Sequence, residues 1–276
     1  MIKQVEGLGL VLVYWGRMCD QRVGIVDRVG LKATFEEQGY VVVPSFADGS
    51  IVEVLRAIAE EHLITELAPI EYEVDVQYPG APVDDNAPGA NTARRLLQAC
   101  SRHSAFRDWA SSDSVKAVLS PLLGSDALEL SQCHHNCVMT KQPGFSSATL
   151  WHQDNRYWSF DEQNLVSLWL ALTDENRANG CLRVIPGSHR LTLDPGRFDA
   201  TLFLRPDLPE NKQLLEQSVL VTLRAGDALL FHSKLFHAAG RNRTEDTKLS
   251  LVFTYHAASN RPIDATRSAK FPGIAL

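Results

Sequence analysis

The C-terminal half of the chain constrains the fold most. LVSLWLAL (165–172), CLRVI (181–185), SVLVTL (218–223), ALLFH (228–232) and KLSLVFTYH (248–256) are short, largely apolar runs separated by turn residues. Runs of this length and spacing read as antiparallel strands, not helices. LELSQCHHNCVM (128–139) alternates in the same way and reads as one further strand. The first half differs. LKATFEEQG (31–39) predicts a short helix closed by glycine, YVVVP (40–44) a strand, and 50–66 a longer helix. Residues 93–110 and 113–123 fit two more helices, whereas 72–92 is rich in Pro, Gly, Asp and Asn and reads as a long loop. Helices early and antiparallel strands late predict an α+β chain whose second half is a β-sandwich or jelly roll.

Composition narrows the function classes. The 276 residues are 45% hydrophobic and 22% charged, enough for a sizeable core. A net charge of -6, with no cluster of Lys and Arg, argues against a nucleic-acid partner. The five cysteines are odd in number and scattered, which fits reduced thiols in a cytoplasm better than a secreted disulfide framework. GLGLVLVYWG (7–16) is too short to span a bilayer, and its flanks make a poor signal peptide. No membrane partner is expected. Residues 1–30 read as an extension or extra strand, and 31–276 as one domain; nothing in the sequence fixes an oligomeric state.

Chemistry concentrates in WHQDNRYW (151–158). In an extended segment positions i and i+2 share a face, so His152 and Asp154 can offer two ligands to one ion. Two histidines and one carboxylate suit Fe(II) with open positions for substrates. The third ligand would come from ALLFHSKLFHAAGRN (228–242), which offers His232 and His237. CHHNC (133–137) invites a separate zinc site. As a strand, however, it sets Cys133 and Cys137 about 13 Å apart at ~3.3 Å per residue, too far to share an ion with ~2.3 Å bonds. Gln132, His134 and Asn136 share one face of that strand and are expected to line a pocket. Asn155, Arg156, Tyr157 and Trp158 follow the metal motif and are placed at its mouth. There Arg156 could grip a carboxylate or phosphate, and the two aromatics offer apolar faces with polar tips.

These segments resemble a known family. WHQD, LWLALTDENRANGCLRVIPGSHR (168–190) and AGDALLFHSKLFHAAGRNRTEDTKLSLVFTYH (225–256) are similar, in order, to motifs of the phytanoyl-CoA dioxygenase-like oxygenases. The likeness runs from Leu31 to Tyr255 and includes the opening F-x-x-x-GYVVVP pattern. It implies a double-stranded β-helix, a cupin-like jelly roll, that uses Fe(II), 2-oxoglutarate and O2. The implied iron ligands are His152, Asp154 and His237. HAAG (237–240) matches the family's distal-histidine turn and HSKL (232–235) does not, which leaves His232 as runner-up. The family places an arginine eleven residues after that histidine to hold the co-substrate's distal carboxylate. Here the residue is Lys248, which keeps the charge and loses the planar bidentate fork. Ser250 could add a hydroxyl hydrogen bond from the same strand face, and Arg241 and Arg243 are nearby cations. By the same resemblance Trp169, Cys137 and Arg95 fall at co-substrate positions, and His189 in IPGSHR is structural.

The implied reaction couples oxidative decarboxylation of 2-oxoglutarate to hydroxylation of a C–H bond. Asp154 argues against halogenation, which needs that coordination position for halide. The acidic balance gives an acyl-CoA substrate no support, so a small metabolite or natural-product intermediate is expected; desaturation, epimerisation or ring closure use the same triad. Two other classes are a non-enzymatic metal-binding jelly roll with impaired 2-oxoglutarate binding, suggested by Lys248, and a zinc hydrolase.

Overall fold

The computed structural model describes residues 11–14, 23–26, 28–76 and 80–276, with side chains from 30 onward. The first elements are β1 (Val11–Tyr14), β2 (Val23–Val26), α1 (Arg28–Gln38), β3 (Tyr40–Val43), α2 (Gly49–Ile64) and β4 (Ile70–Tyr72). Then come β5 (Ala93–Leu97), α3 (Ala99–Arg102), α4 (Ser104–Ala110), α5 (Asp113–Leu123), β6 (Leu128–Leu130) and β7 (Asn136–Lys141). The remainder is β8 (Thr149–His152), β9 (Val166–Ala171), β10 (Leu182–Val184), α6 (Pro209–Glu216), β11 (Val219–Leu220), β12 (Ala228–His232), β13 (His237–Ala239), β14 (Lys248–Ala257) and β15 (Ile274–Ala275). The extra strand expected within 7–16 is described at Val11–Tyr14, paired with β2; residues 1–10 and 15–22 lie outside the described residues.

Two antiparallel sheets form a double-stranded β-helix. The larger runs β3-β12-β9-β14-β7-β5-β4, with β6 beside β14 and β15 beside β6; the smaller runs β11-β10-β13-β8. Side-chain alternation on β9 shows what each face does. Val166, Leu168 and Leu170 point outward into a core shared with Leu31 and Phe35 of α1, Leu55 of α2, Phe106 of α4 and Leu119 of α5. Trp169 and Ala171 point inward and meet Leu182, Val184 and Ala239 of the smaller sheet. A sheet covered on both faces needs apolar side chains at nearly every position, and β9 and β14 are buried throughout. Each fully buried Leu or Phe contributes roughly 1.5–3 kcal/mol.

The helix expected over 31–39 ends as the sequence suggested. The Gly39 N–H donates to the Phe35 carbonyl at 2.7 Å, and Gly39 takes φ +77°, a left-handed value that glycine adopts without strain. The site is also crowded: a Cβ here would lie 2.3 Å from His189 Nδ1.

Two expectations need correction, and one element was not expected. Residues 93–110 are not one helix, because Ala93–Leu97 form β5 between β4 and β7. Its register, Leu96 against Val138 and Ile70, seals a fully buried Leu96, and this tertiary pairing outweighs the helix propensity of Arg and Leu. Gln98, at φ +58°, then separates the strand from α3. LELSQCHHNCVM is not one strand either; a turn at 132–135 divides β6 from β7. The helix α6, with Pro209 at its start, was not anticipated between β10 and β11.

Candidate metal centre and cavity

His152 closes β8, and its direct partner across the ladder is His237, which opens β13. Strand pairing therefore brings the two imidazoles together, with ring centroids 4.2 Å apart. Gln153 is extended (φ -113°, ψ 140°), so Asp154 returns to the side of His152 before a 3-10 turn over Asp154–Tyr157. The Asn155 N–H donates to the Ser233 carbonyl at 3.1 Å and pins that turn to the segment between β12 and β13.

The triad is oriented as well as close. His152 Nδ1 lies 2.8 Å from the Leu150 carbonyl and His237 Nδ1 3.0 Å from that of Leu235, so Nε2 is the atom each ring turns to Asp154. Those Nε2 atoms lie 3.7 Å and 3.5 Å from Asp154 Oδ1. One ligand atom from each residue fits within 4.8 Å of the others, and among the described residues no other His, Cys, Asp or Glu cluster does so. All three side chains are buried. Burial alone would raise the Asp154 carboxyl, but His135, His237 and His152 hold it well below the usual carboxylate range. Burial pushes His152 far down, helped by His237; it pushes His237 down too, but Asp154 outweighs it and lifts that ring above its ordinary value. Two nitrogen donors and an ionised oxygen donor, aimed at one point, suit a divalent first-row metal.

The triad opens into a cavity of about 520 Å³. Of the residues expected there, His134, Arg156, Tyr157, Trp158, Trp169, Arg95, Cys137 and Lys248 line it. His134 stacks on Trp158 with centroids 4.7 Å apart, and Arg156 lies over the Phe203 ring at 4.0 Å. Burial pushes the Cys137 thiol up to about 11, which leaves it a neutral wall residue.

Four expected residues are elsewhere. Ser250 does not line the cavity; its hydroxyl donates to Glu175 Oε1 at 2.7 Å. Asn136 faces away, accepting from the Cys100 N–H at 2.9 Å, because β7 starts there and turns Cys137, Met139 and Lys141 inward instead. Gln132 sits in the intervening turn and donates to the Pro272 carbonyl at 2.8 Å. Asn155 is used by its backbone to build the 3-10 turn and does not line the cavity. Neither Arg241 nor Arg243 lines it. His232 accepts from the Lys234 N–H through Nδ1 at 3.0 Å and packs against Phe35 and His189, outside the triad.

Other residues of the site were not anticipated. His135 lies in the turn with His134 and places Nδ1 3.6 Å from Asp154 Oδ2. Glu175 is fully buried; it holds Lys248 Nζ at 2.9 Å and accepts from Trp169 Nε1 at 2.7 Å. A lysine buried at the start of β14 demands a carboxylate, but no spacing points to one 73 residues away. Lys141, Arg94, Phe203 and Arg267 also line the cavity.

The phytanoyl-CoA dioxygenase (PhyH) family model matches residues 35–250. The chain belongs to this family. A phytanoyl-CoA dioxygenase from Oryza sativa subsp. japonica is 34% identical over 102 residues, 37% of this chain and 36% of that protein. The matches thus span little more than a third of the length of the rice and Arabidopsis thaliana relatives. Ectoine dioxygenase from Halomonas elongata is 24% identical over 86% of this chain and 72% of its own. Among solved structures, the epimerase SnoN in complex with Fe3+, alpha ketoglutarate and nogalamycin RO superposes with a TM-score of 0.69 at 26% identity, covering 85% of each chain. EctD from S. alaskensis with 2-oxoglutarate and 5-hydroxyectoine shares the fold, with a TM-score of 0.68 at 22% identity over 84% of this chain and 77% of its own. Among the described residues of this PhyH-family chain no helix is long and apolar enough to cross a membrane.

Proposed function

We propose that the chain is an Fe(II)- and 2-oxoglutarate-dependent dioxygenase that hydroxylates a small-molecule metabolite or natural-product intermediate. The observation that carries this reading is the inward aim of His152 Nε2, Asp154 Oδ1 and His237 Nε2 at one buried point beside the cavity. The family and the iron- and ketoglutarate-bound epimerase support it. These three residues would hold the metal, which with 2-oxoglutarate and O2 supplies the oxidising power that turns C–H into C–OH, releasing succinate and carbon dioxide.

The chain's own contribution is position and exclusion of water. Trp158, stacked with His134, and Phe203, in edge contact with His152 at 5.7 Å, wall the triad off with aromatic surface. Arg156, braced on Phe203 and donating to the Thr201 carbonyl at 3.2 Å, presents a guanidinium at the mouth for a substrate carboxylate or phosphate. Residues 31–276 form the oxygenase domain and 1–30 an extension; the family match over 35–250 supports that division. A cytoplasmic location is supported by the free Cys100, Cys133, Cys137 and Cys181.

One observation favours a second reading: Lys248 is already neutralised by Glu175. In that reading the jelly roll binds metal without turning over 2-oxoglutarate. Anaerobic Fe(II) titration with 2-oxoglutarate separates the two. A visible metal-to-ligand charge-transfer band, lost in Asp154→Ala, is the expected result. Iron binding with no band at saturating 2-oxoglutarate would put the non-enzymatic reading first.

A further inference from the structure

The inner end of the cavity contains more buried charge than one co-substrate anchor requires. Lys141 and Lys248 are direct partners across the β7–β14 ladder, so their side chains leave the same face, and both line the cavity. Their surroundings differ. Lys248 Nζ is 2.9 Å from Glu175 Oε2 and 3.4 Å from Ser250 Oγ, and Glu175, which does not line the cavity, backs it from behind. That pair is electrically closed. Lys141 Nζ donates to the Ser147 carbonyl at 2.9 Å, and among the described residues it has no carboxylate within ion-pair distance. Of the two acidic groups that act on it, Glu175 is taken by Lys248 and Glu73 is occupied as well: Arg94 holds Glu73 at 3.1 Å, and the Ser147 hydroxyl and N–H donate to it at 2.6 Å and 3.1 Å.

We propose that Lys141, and not Lys248, supplies the net positive charge that holds the distal carboxylate of the 2-oxo acid. This rests on the dioxygenase reading above. Lys248, whose ammonium lies 5.0 Å from the Trp169 ring centroid, serves as a neutralised hydrogen-bond donor beside it. The position suits the ligand. Ser167, which donates to Asp154 at 3.3 Å, and Trp169 are two residues apart on β9, about 6.6 Å along the inner face. Lys248 Nζ lies over that Trp169 ring, so a five-carbon diacid chelated at the triad and extended along this face would bring its far end to the lysine end of the cavity.

A buried ammonium with no counter-ion is costly, and an incoming carboxylate relieves that cost. Burial lowers Lys141 first, and the charges of Arg94 and Lys248 add to it; Glu73 and Glu175 oppose them, leaving the group at about 7. Those four are the charged groups that face Lys141 from β5, β14, the 3-10 turn after β4 and the loop after β9. Since only the protonated amine attracts a carboxylate, 2-oxoglutarate affinity should fall as pH rises from 7 to 9.

The test is calorimetric titration of the Mn(II)-loaded protein with 2-oxoglutarate and, separately, with pyruvate, which keeps the chelating end and lacks the distal carboxylate. Lys141→Met is expected to weaken 2-oxoglutarate binding about 10- to 100-fold, as for a lost charged hydrogen bond, and to leave pyruvate binding within about twofold. Replacing the closed pair together, Lys248→Met with Glu175→Gln, should weaken 2-oxoglutarate less than Lys141→Met does. Lys141→Arg keeps the charge and should bind 2-oxoglutarate with no pH dependence between 7 and 9, a readout that does not need the methionine variant to fold. Equal 2-oxoglutarate affinity in wild type and Lys141→Met, equal losses for both acids, or a flat wild-type pH profile would overturn the assignment. If wild type itself takes up neither acid, the dioxygenase reading falls with it.

Discussion

The two carboxylate oxygens of Asp154 face different neighbours. Oδ1 turns to the Nε2 atoms of His152 and His237, while Oδ2 accepts from Ser167 at 3.3 Å and lies 3.6 Å from His135. One oxygen is thereby held so that the other can point at the metal position. Outer contacts of this kind typically contribute 10–100-fold to metal affinity. Ser167→Ala should weaken Mn(II) or Fe(II) binding about tenfold, and Asp154→Asn, which removes the charge itself, by more than about 100-fold. Competition titration with a chelating dye measures both; unchanged affinity in Ser167→Ala would mean that the hydroxyl does not orient the carboxylate. This scale also marks what the sequence could disclose. His152 and Asp154 are legible because a spacing of two is a local geometric fact. The choice of His237 over His232 came from family resemblance, and the ladder pairing of His237 with His152 supplies its physical basis. Glu175 was invisible because its partners Lys248, Ser250 and Trp169 converge through the sheet.

At the scale of elements, legibility follows burial. β9, β12 and β14 stand out in the sequence because they are covered on both sides and leave little room for polar residues. β5 does not, because ARRLL has two arginines whose charges are met only in the folded sheet. Arg94 reaches Glu73 and Arg95 reaches Glu71, at 3.1 Å and 3.3 Å. The junction between α1 and β3 is the contrasting case, where one glycine reports both the turn and its neighbour. Gly39 combines a left-handed φ with a Cβ position 2.3 Å from His189 Nδ1, and His189 in turn contacts the Glu36 carbonyl at 3.2 Å. Alanine there meets both backbone strain and overpacking, which together cost about 2–4 kcal/mol. Gly39→Ala should therefore lower the free energy of unfolding by that amount, read in urea as a lower midpoint with an unchanged slope. A loss below about 1 kcal/mol would show that the IPGSHR loop yields instead of clashing.

At the scale of the whole molecule, the histidines buried neutral make the fold acid-sensitive in a defined window. Burial is the first cause in each case: His232 is pushed down to about 4, with His189 and Lys234 adding to it, and His134 to about 3, with His135 and Arg267 next. For His232 the contact geometry agrees, because its Nδ1 accepts from the Lys234 N–H and cannot do so once protonated. A base whose pKa is lower folded than unfolded binds more protons in the unfolded chain. Stability is therefore complete above the unfolded value of about 6.5 and drains away as pH falls toward the folded one. A shift from about 6.5 to about 4 for His232 corresponds to roughly 3 kcal/mol, a large part of the margin of a domain this size. Asp154 works in the same direction at lower pH, since a carboxyl held down by its neighbours loses its contribution only below about 4. Thermal melting of the metal-free protein should decline gently from pH 8 to 7, where the unfolded chain binds a proton that buried Lys141 holds only in part, then fall steeply between 6.5 and 4. In His232→Asn, which has no titrating ring, the melting curve should be shallower over that window by up to about 3 kcal/mol. A wild-type profile flat from 7 to 4, or an identical slope in the variant, would mean that the buried rings are solvated on the way to unfolding and do not set the acid limit of the fold.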